Sequence, residues 1–184
     1  ESGQETRDEV FSHLVELVAR ELFEAQLMQT DPNFANYRWQ ASTGRIVLLD
    51  FGAAREVSNA ISQDYRRLLS AGLAEDREDV MTAAIEAGFV NPRALDRHPE
   101  AMRKAVDIAV TQMARPEPLD FGDRAFVPEI RETVMPIAQD RDSWHLPPAE
   151  TLFVQRKISG TALLGARLKA RVDVRGIVQR ILDQ

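Results

Sequence analysis

The one stretch of this chain that reads as β-strand constrains it most. Residues 37–49 join a β-prone Tyr37-Arg38-Trp39, a turn at Ser42-Thr43-Gly44 and a β-branched and leucine run from Arg45 to Leu49. That is the pattern of a small hairpin. Upstream, residues 7–28 put Val10, Leu14, Leu17, Val18, Leu22 and Leu27 at helical spacing, which predicts one long amphipathic helix. Pro32 is expected to stop it, because proline lacks the amide and clashes with the preceding turn. Beyond Gly52, helices are predicted over about 59–73, 76–87, 99–114, 126–138, 148–169 and 173–183. Gly88 suits a helix C-cap and Pro99 a first helical turn. The expected fold is mainly α, with one small β-hairpin near the front.

Composition narrows what such a fold can do. A chain of 184 residues is long enough for one domain with its own core. With 44% hydrophobic and 28% charged residues it fits an ordered globular domain. The formal charge of -6 argues against nucleic acid as a partner, since sequence-independent binding needs a basic surface to displace counterions. There is no cysteine, so thiol catalysis, disulfides and zinc-thiolate sites are excluded. The best apolar run, Ile158 to Leu168, is broken by glycines and falls short of the roughly 20 residues a membrane span needs. The chain opens Glu1-Ser2-Gly3, without methionine or a signal-peptide pattern, and reads as a piece of a longer protein.

Polar residues gather around the hairpin. Asp31 lies in the loop before it, Asn36 follows five positions later, and Asp50 ends its second strand, opening Asp50-Phe51-Gly52. A site that handles ATP holds magnesium with hard oxygen ligands, typically one or two carboxylates and an amide oxygen. Protein kinases take these from a catalytic-loop Asp, an Asn five residues on and the Asp of Asp-Phe-Gly, and the same order stands here. The tripeptide alone is weak evidence, because Asp120-Phe121-Gly122 is a second copy. That copy has no strand pattern before it and no Asp-x4-Asn upstream, so it reads as a structural loop. The plainer alternative for the first copy is that Asp31 and Asn36 cap turns and Asp50 ends a strand.

The loop departs from ordinary protein kinases. Gln29-Thr30-Asp31 replaces His-Arg-Asp, no Ala-Pro-Glu follows Gly52, and Ala53-Ala54-Arg55-Glu56 leads almost directly to a helix. Those departures carry a resemblance. Met28-Gln29-Thr30-Asp31-Pro32-Asn33-Phe34-Ala35-Asn36, followed by Leu48-Leu49-Asp50-Phe51-Gly52-Ala53-Ala54-Arg55-Glu56, closely resembles the UbiB/AarF family of atypical kinases, in particular its coenzyme Q biosynthesis branch. Arg20-Glu21-Leu22-Phe23-Glu24, Glu117 to Gly122, Arg156-Lys157-Ile158-Ser159-Gly160 and Leu168-Lys169-Ala170-Arg171 extend the similarity over essentially the whole chain.

The resemblance implies a kinase-like C-terminal lobe spanning residues 1–184, with ATP and Mg2+ as cofactors. It places Asp31 at the catalytic position and Asn36 and Asp50 as magnesium ligands. It implies phosphoryl transfer to water or a small molecule in support of ubiquinone biosynthesis. Implied partners are a lipid or quinone precursor and biosynthetic proteins, with peripheral membrane association. The implied location is cytoplasmic or membrane-peripheral in a bacterium and the mitochondrial matrix side in a eukaryote. The nucleotide loop, the strand lysine and the Lys-x-Gly-Gln and Glu-x-Asp motifs of the family are not in this sequence, so residues 1–184 alone are expected to be inactive. A competing function is a nucleotide-gated scaffold or lipid-handling regulator with little chemistry.

Several residues read as structural. His13 is expected to be solvated, His98 to start a helix and His145 to pack beside Trp144. The three histidines lack metal-site spacing. Arg156, Lys157, Arg167, Lys169, Arg171, Arg175 and Arg180 read as a solvated basic face, with a surface for anionic lipid or an acidic partner as the alternative.

Overall fold

The computed structural model describes residues 3–123 and 125–184. Helix α1 (Gln4–Arg20) continues into a π-helical turn, Glu21–Ala25, and then β1 (Leu27–Gln29). A short 3-10 turn, Phe34–Asn36, leads into β2 (Tyr37–Gln40) and β3 (Arg45–Leu48), which are followed by β4 (Ala54–Glu56). Helices α2 (Asn59–Leu73), α3 (Arg77–Glu86), α4 (Pro92–Arg97) and α5 (Pro99–Ala114) come next. The chain closes with β5 (Leu119–Asp120), α6 (Phe126–Gln139), α7 (Ala149–Leu168), β6 (Arg171–Val172) and α8 (Val174–Leu182). The mainly α class and the front hairpin are as the sequence predicts, with Tyr37 facing Leu48 and Trp39 facing Ile46 across β2 and β3.

Side-chain caps set many of the helix starts. Ser58 accepts from the amide of Ile61, Asp76 from Asp79 and Asp173 from Gly176, each satisfying an amide that the first turn leaves unpaired. The core has two main parts. Phe11 and Leu14 of α1 meet Leu164 of α7, Val172 of β6, and Ile177 and Ile181 of α8. Leu22 and Met28 meet Val57, Ile61 and Tyr65 of the α2 region and Val154 of α7. Helix α7 therefore runs through both clusters and lies under the front of the chain.

The first helix differs from its predicted course. It begins at Gln4 and its helical geometry ends at Ala25, not at Pro32, with Gln26 left-handed at φ 49°. The reason is a distant partner. Leu27–Gln29 pair antiparallel with Ala54–Glu56, with Met28 opposite Arg55, and the apolar spacing at Leu27 gives no hint of that. Helix α4 was not anticipated; Asn91 caps it by accepting from Arg93, and Pro92 takes its first position. A strand also accompanies the second Asp-Phe-Gly copy, as Leu119–Asp120 pair with Arg171–Val172.

The basic face is corrected at one residue. Lys157 has no exposed surface at all. It shares a helical stripe with buried Val154, Thr161 and Leu164. His13 is half-buried, its ring 5.9 Å from that of Trp39. His98 begins α5 as expected, and its Nε2 lies 2.8 Å from Asp140 Oδ2. His145 Nε2 lies 2.9 Å from the carbonyl of Gly88.

Candidate active site

The site is two loops held face to face by the strands on either side. The π turn and the left-handed Gln26 redirect the chain into β1, and β1 delivers Gln29, Thr30 and Asp31 beside the segment that follows β3. The hydrogen bonds across this seam are regular. Leu49 N–H donates to the Asn36 carbonyl at 3.0 Å. The Thr30 amide and hydroxyl both donate to the Ala53 carbonyl, at 3.1 and 2.8 Å. Gln29 makes the central link: its Nε2 donates to the Asp50 carbonyl at 3.1 Å, while its Oε1 accepts the Asp31 amide at 2.9 Å. One buried side chain thus ties the backbones of both candidate carboxylates together.

Within the loop, Asn36 Nδ2 donates to Asp31 Oδ2 at 3.0 Å and to the Asp31 carbonyl at 3.1 Å. Asn33 stabilises the turn by accepting from Ala35. With the Asn36 amide nitrogen turned to Asp31, its oxygen is the end left to act as an acceptor. Asp50 is exposed, and its Oδ1 accepts the Gly52 amide at 2.8 Å. The three predicted residues are therefore assembled on one seam: Asp31 and Asn36 in direct contact, Asp50 joined to them through Gln29.

The donor chemistry fits magnesium coordinated in part by phosphate. A carboxylate and an amide oxygen are hard ligands, and two of them suit an ion that keeps waters and substrate phosphates in its shell. Among the described residues, no three Asp, Glu, His or Cys side chains cluster as a self-sufficient metal cage. Leu49 and Phe51, on either side of Asp50, are exposed at 51% and 59%, so apolar side chains edge the carboxylate.

The second copy has the same turn and a different fate. Asp120 Oδ1 accepts the Gly122 amide at 2.8 Å, as Asp50 does with Gly52. Its Oδ2, however, takes Arg171 Nε at 2.9 Å. The hydrogen bond from Gly122 and that from Arg171 hold the Asp120 carboxyl below its ordinary range.

Beneath the seam lies a buried pair that sequence reasoning missed. Glu21, first residue of the π turn, is buried and pairs with Lys157 of α7 at 3.1 Å. Burial pushes the Glu21 carboxyl up, and the Lys157 ammonium pulls against that rise. Glu21 Oε1 also accepts the Gln29 amide at 3.3 Å. The available signal was position: Lys157 falls on the apolar stripe of α7, where an unpaired lysine would not fit.

Residues 1–84 match the family model described as the ABC1 atypical kinase-like domain. The zebrafish (Danio rerio) atypical kinase COQ8B, mitochondrial, is 32% identical over 174 residues, covering 95% of this chain and 28% of that protein. The Saccharomyces cerevisiae atypical kinase COQ8, mitochondrial, is 29% identical over 186 residues, covering 98% of this chain and 36% of that protein. The chain thus spans between a quarter and two-fifths of these relatives. Among solved structures, the Rv3197–erythromycin complex from Mycobacterium tuberculosis superposes with a TM-score of 0.73 at 17% identity, over 97% of this chain and 44% of that one; at that identity the likeness speaks for the fold. Residues 1–84 thus match the ABC1 atypical kinase-like domain, and the similarity to atypical kinases extends over nearly the whole chain.

Proposed function

We propose that this chain supplies the catalytic-loop and cation-holding side of an ATP-using site, in a longer protein that supports ubiquinone biosynthesis by phosphoryl transfer to water or a small molecule. Asn36 and Asp50 would hold Mg2+ with the nucleotide phosphates, and the ion would neutralise charge developing on the transferred group. Asp31 would accept a proton from, or orient, the attacking hydroxyl. The observation that carries this reading is the Gln29 bridge between the Asp31 amide and the Asp50 carbonyl, which fixes the two carboxylate-bearing loops relative to each other before any ligand arrives. Such preorganisation is what phosphoryl transfer requires, since most of its catalysis is positioning and charge stabilisation.

The exposed Leu49 and Phe51 support placing a further part of the protein over this face, contributing the phosphate-clamping groups. Residues 1–184 alone are then expected to show no robust ATP turnover. The mitochondrial names of the relatives support a mitochondrial setting for eukaryotic members. Among the described residues, no helix is long and apolar enough to cross a membrane.

The test uses the full-length protein with Asp50→Asn and, as a matched control, Asp120→Asn. Mg2+-ATP binding, ATP turnover and cellular quinone level are measured for each. Asp50→Asn should lose magnesium-dependent turnover, and Asp120→Asn should retain it. Equal activity in both variants would overturn the reading. Lost turnover with intact quinone synthesis would make the nucleotide-gated scaffold the biological role.

A further inference from the structure

Lys157 is an unusual residue to find at the centre of α7. It is completely buried, and its Nζ meets two groups from the front of the chain: Glu21 Oε2 at 3.1 Å and the Tyr37 hydroxyl at 3.3 Å. Its ammonium also lies 5.7 Å from the centre of the Tyr37 ring. Both contacts bracket the catalytic loop. Glu21 opens the π turn that leads into β1, and Tyr37 is the residue directly after Asn36. π turns of this kind are rare and recur at functional sites.

From Glu21 the contacts continue inward. Glu21 Oε1 accepts the Gln29 amide, and the Gln29 side chain holds the Asp31 amide and the Asp50 carbonyl. One turn along α7, Gly160 packs against the Pro32 ring. The same helix face therefore touches the loop at its entrance, at Pro32 and at its exit. Stability alone does not explain the ion pair. Burying two charges is opposed by desolvation, and well-packed apolar residues often serve a core as well or better. What a buried pair with further hydrogen bonds does supply is a single arrangement.

Resting on the function proposed above, we propose that Lys157 is a positioning residue, which sets the catalytic loop through Glu21 and Gln29 and so aligns Asp31 with Asp50.

The test again uses the full-length protein. Lys157→Met alone leaves Glu21 buried without a cation, which destabilises the fold whatever the role of Lys157. The double variant Lys157→Met with Glu21→Gln leaves no buried charge and is the informative one. Amide hydrogen exchange is followed over residues 27–36 and 50–54, with α2 and α5 as internal references, together with Tm and with kcat and KM for ATP. In the double variant, exchange at the two loop segments should rise by about tenfold or more while α2 and α5 keep wild-type protection. The kcat should fall by about tenfold or more, with KM for ATP within about threefold of wild type, since alignment rather than nucleotide affinity is lost. Gln29→Ala, which cuts the same path and leaves Lys157 in place, should reproduce the exchange pattern. Wild-type exchange at residues 29–36 in either variant would overturn the proposal. So would a uniform loss of protection in both variants, because Lys157 would then serve the whole fold. An inactive wild-type protein would count against the phosphoryl-transfer reading and leave the exchange result to decide the role of Lys157.

Discussion

Gly160 and Pro32 lie so close that a Cβ on Gly160 would overlap the proline ring. The partner is a rigid ring in the loop that carries Asp31, so it cannot swing aside as a flexible side chain could. Gly160→Ala should therefore either push the loop off α7 or bend the helix. The expected destabilisation is about 1–3 kcal/mol, typical of overpacking. Denaturant unfolding measures it, and magnesium-nucleotide affinity should weaken in the same variant. Wild-type values for both would show that the loop moves freely at Pro32.

Gln29 offers a sharper cut. Its side chain serves one donor, the Asp31 amide, and one acceptor, the Asp50 carbonyl. Gln29→Ala leaves both without that partner, in a position where Gln29 itself is buried. Each stranded buried group costs about 1–3 kcal/mol unless water reaches it. A stability loss of about 2 kcal/mol or more is expected, and Gln29→Glu should fail to restore it, because a carboxylate cannot donate to the Asp50 carbonyl. Urea titration of the three proteins checks this order.

Acid should loosen the junction between α4 and α6. The Arg97 guanidinium, followed by His98 and Ser143, holds the Asp140 carboxyl well below its ordinary value of 3.8. A carboxyl whose pKa is depressed on folding contributes stability that is present above the unfolded value and fades as pH falls toward the folded one. Unfolding free energy should thus decline as pH drops below 3.8. Asp140→Asn should be less stable near neutrality and show a flatter acid limb. Unfolding curves recorded from about pH 6 down to about pH 3 test both statements; parallel acid limbs would contradict them.

Tyr65 should tolerate loss of its hydroxyl. The side chain is buried against Phe89, and its Oη has no hydrogen-bond partner among the described residues. Burial accordingly pushes the phenol's pKa up. Removing an unsatisfied buried polar atom relieves its desolvation penalty. Tyr65→Phe should leave Tm unchanged or raise it. A destabilisation beyond about 1 kcal/mol would mean that the hydroxyl is satisfied by a buried water.

What the sequence made legible was local. The hairpin could be read because Tyr37 to Leu48 pair across one short turn, and Asp31, Asn36 and Asp50 because their order and spacing are distinctive. What it concealed depended on partners far along the chain. Leu27 looked like the last helical position of an amphipathic run, and only the pairing of β1 with β4 ends the helix earlier. Lys157 looked like one of a row of surface cations, and its burial rests on Glu21 and Tyr37, both far upstream. The two Asp-Phe-Gly copies show the same limit. Their Asx turns match, with the aspartate accepting from the glycine at 2.8 Å in both. Arg171, which engages Asp120, is the feature that sets them apart, and it comes from a strand some fifty residues on.

The dependence of the front loop on α7 also bears on how the protein is made. Glu21, Gln29, Asp31 and Asp50 leave the ribosome before Lys157 and Gly160, which follow more than a hundred residues later. Contacts across so long a separation form slowly, because loop closure must precede them. A nascent chain that stops before α7 carries every residue of the motif and the pairing of β1 with β4, but not the contacts of Lys157 and Gly160 with the loop and its flanks. On the proposed role of Lys157, the full set of contacts to this loop exists only once the last fifth of this sequence has emerged.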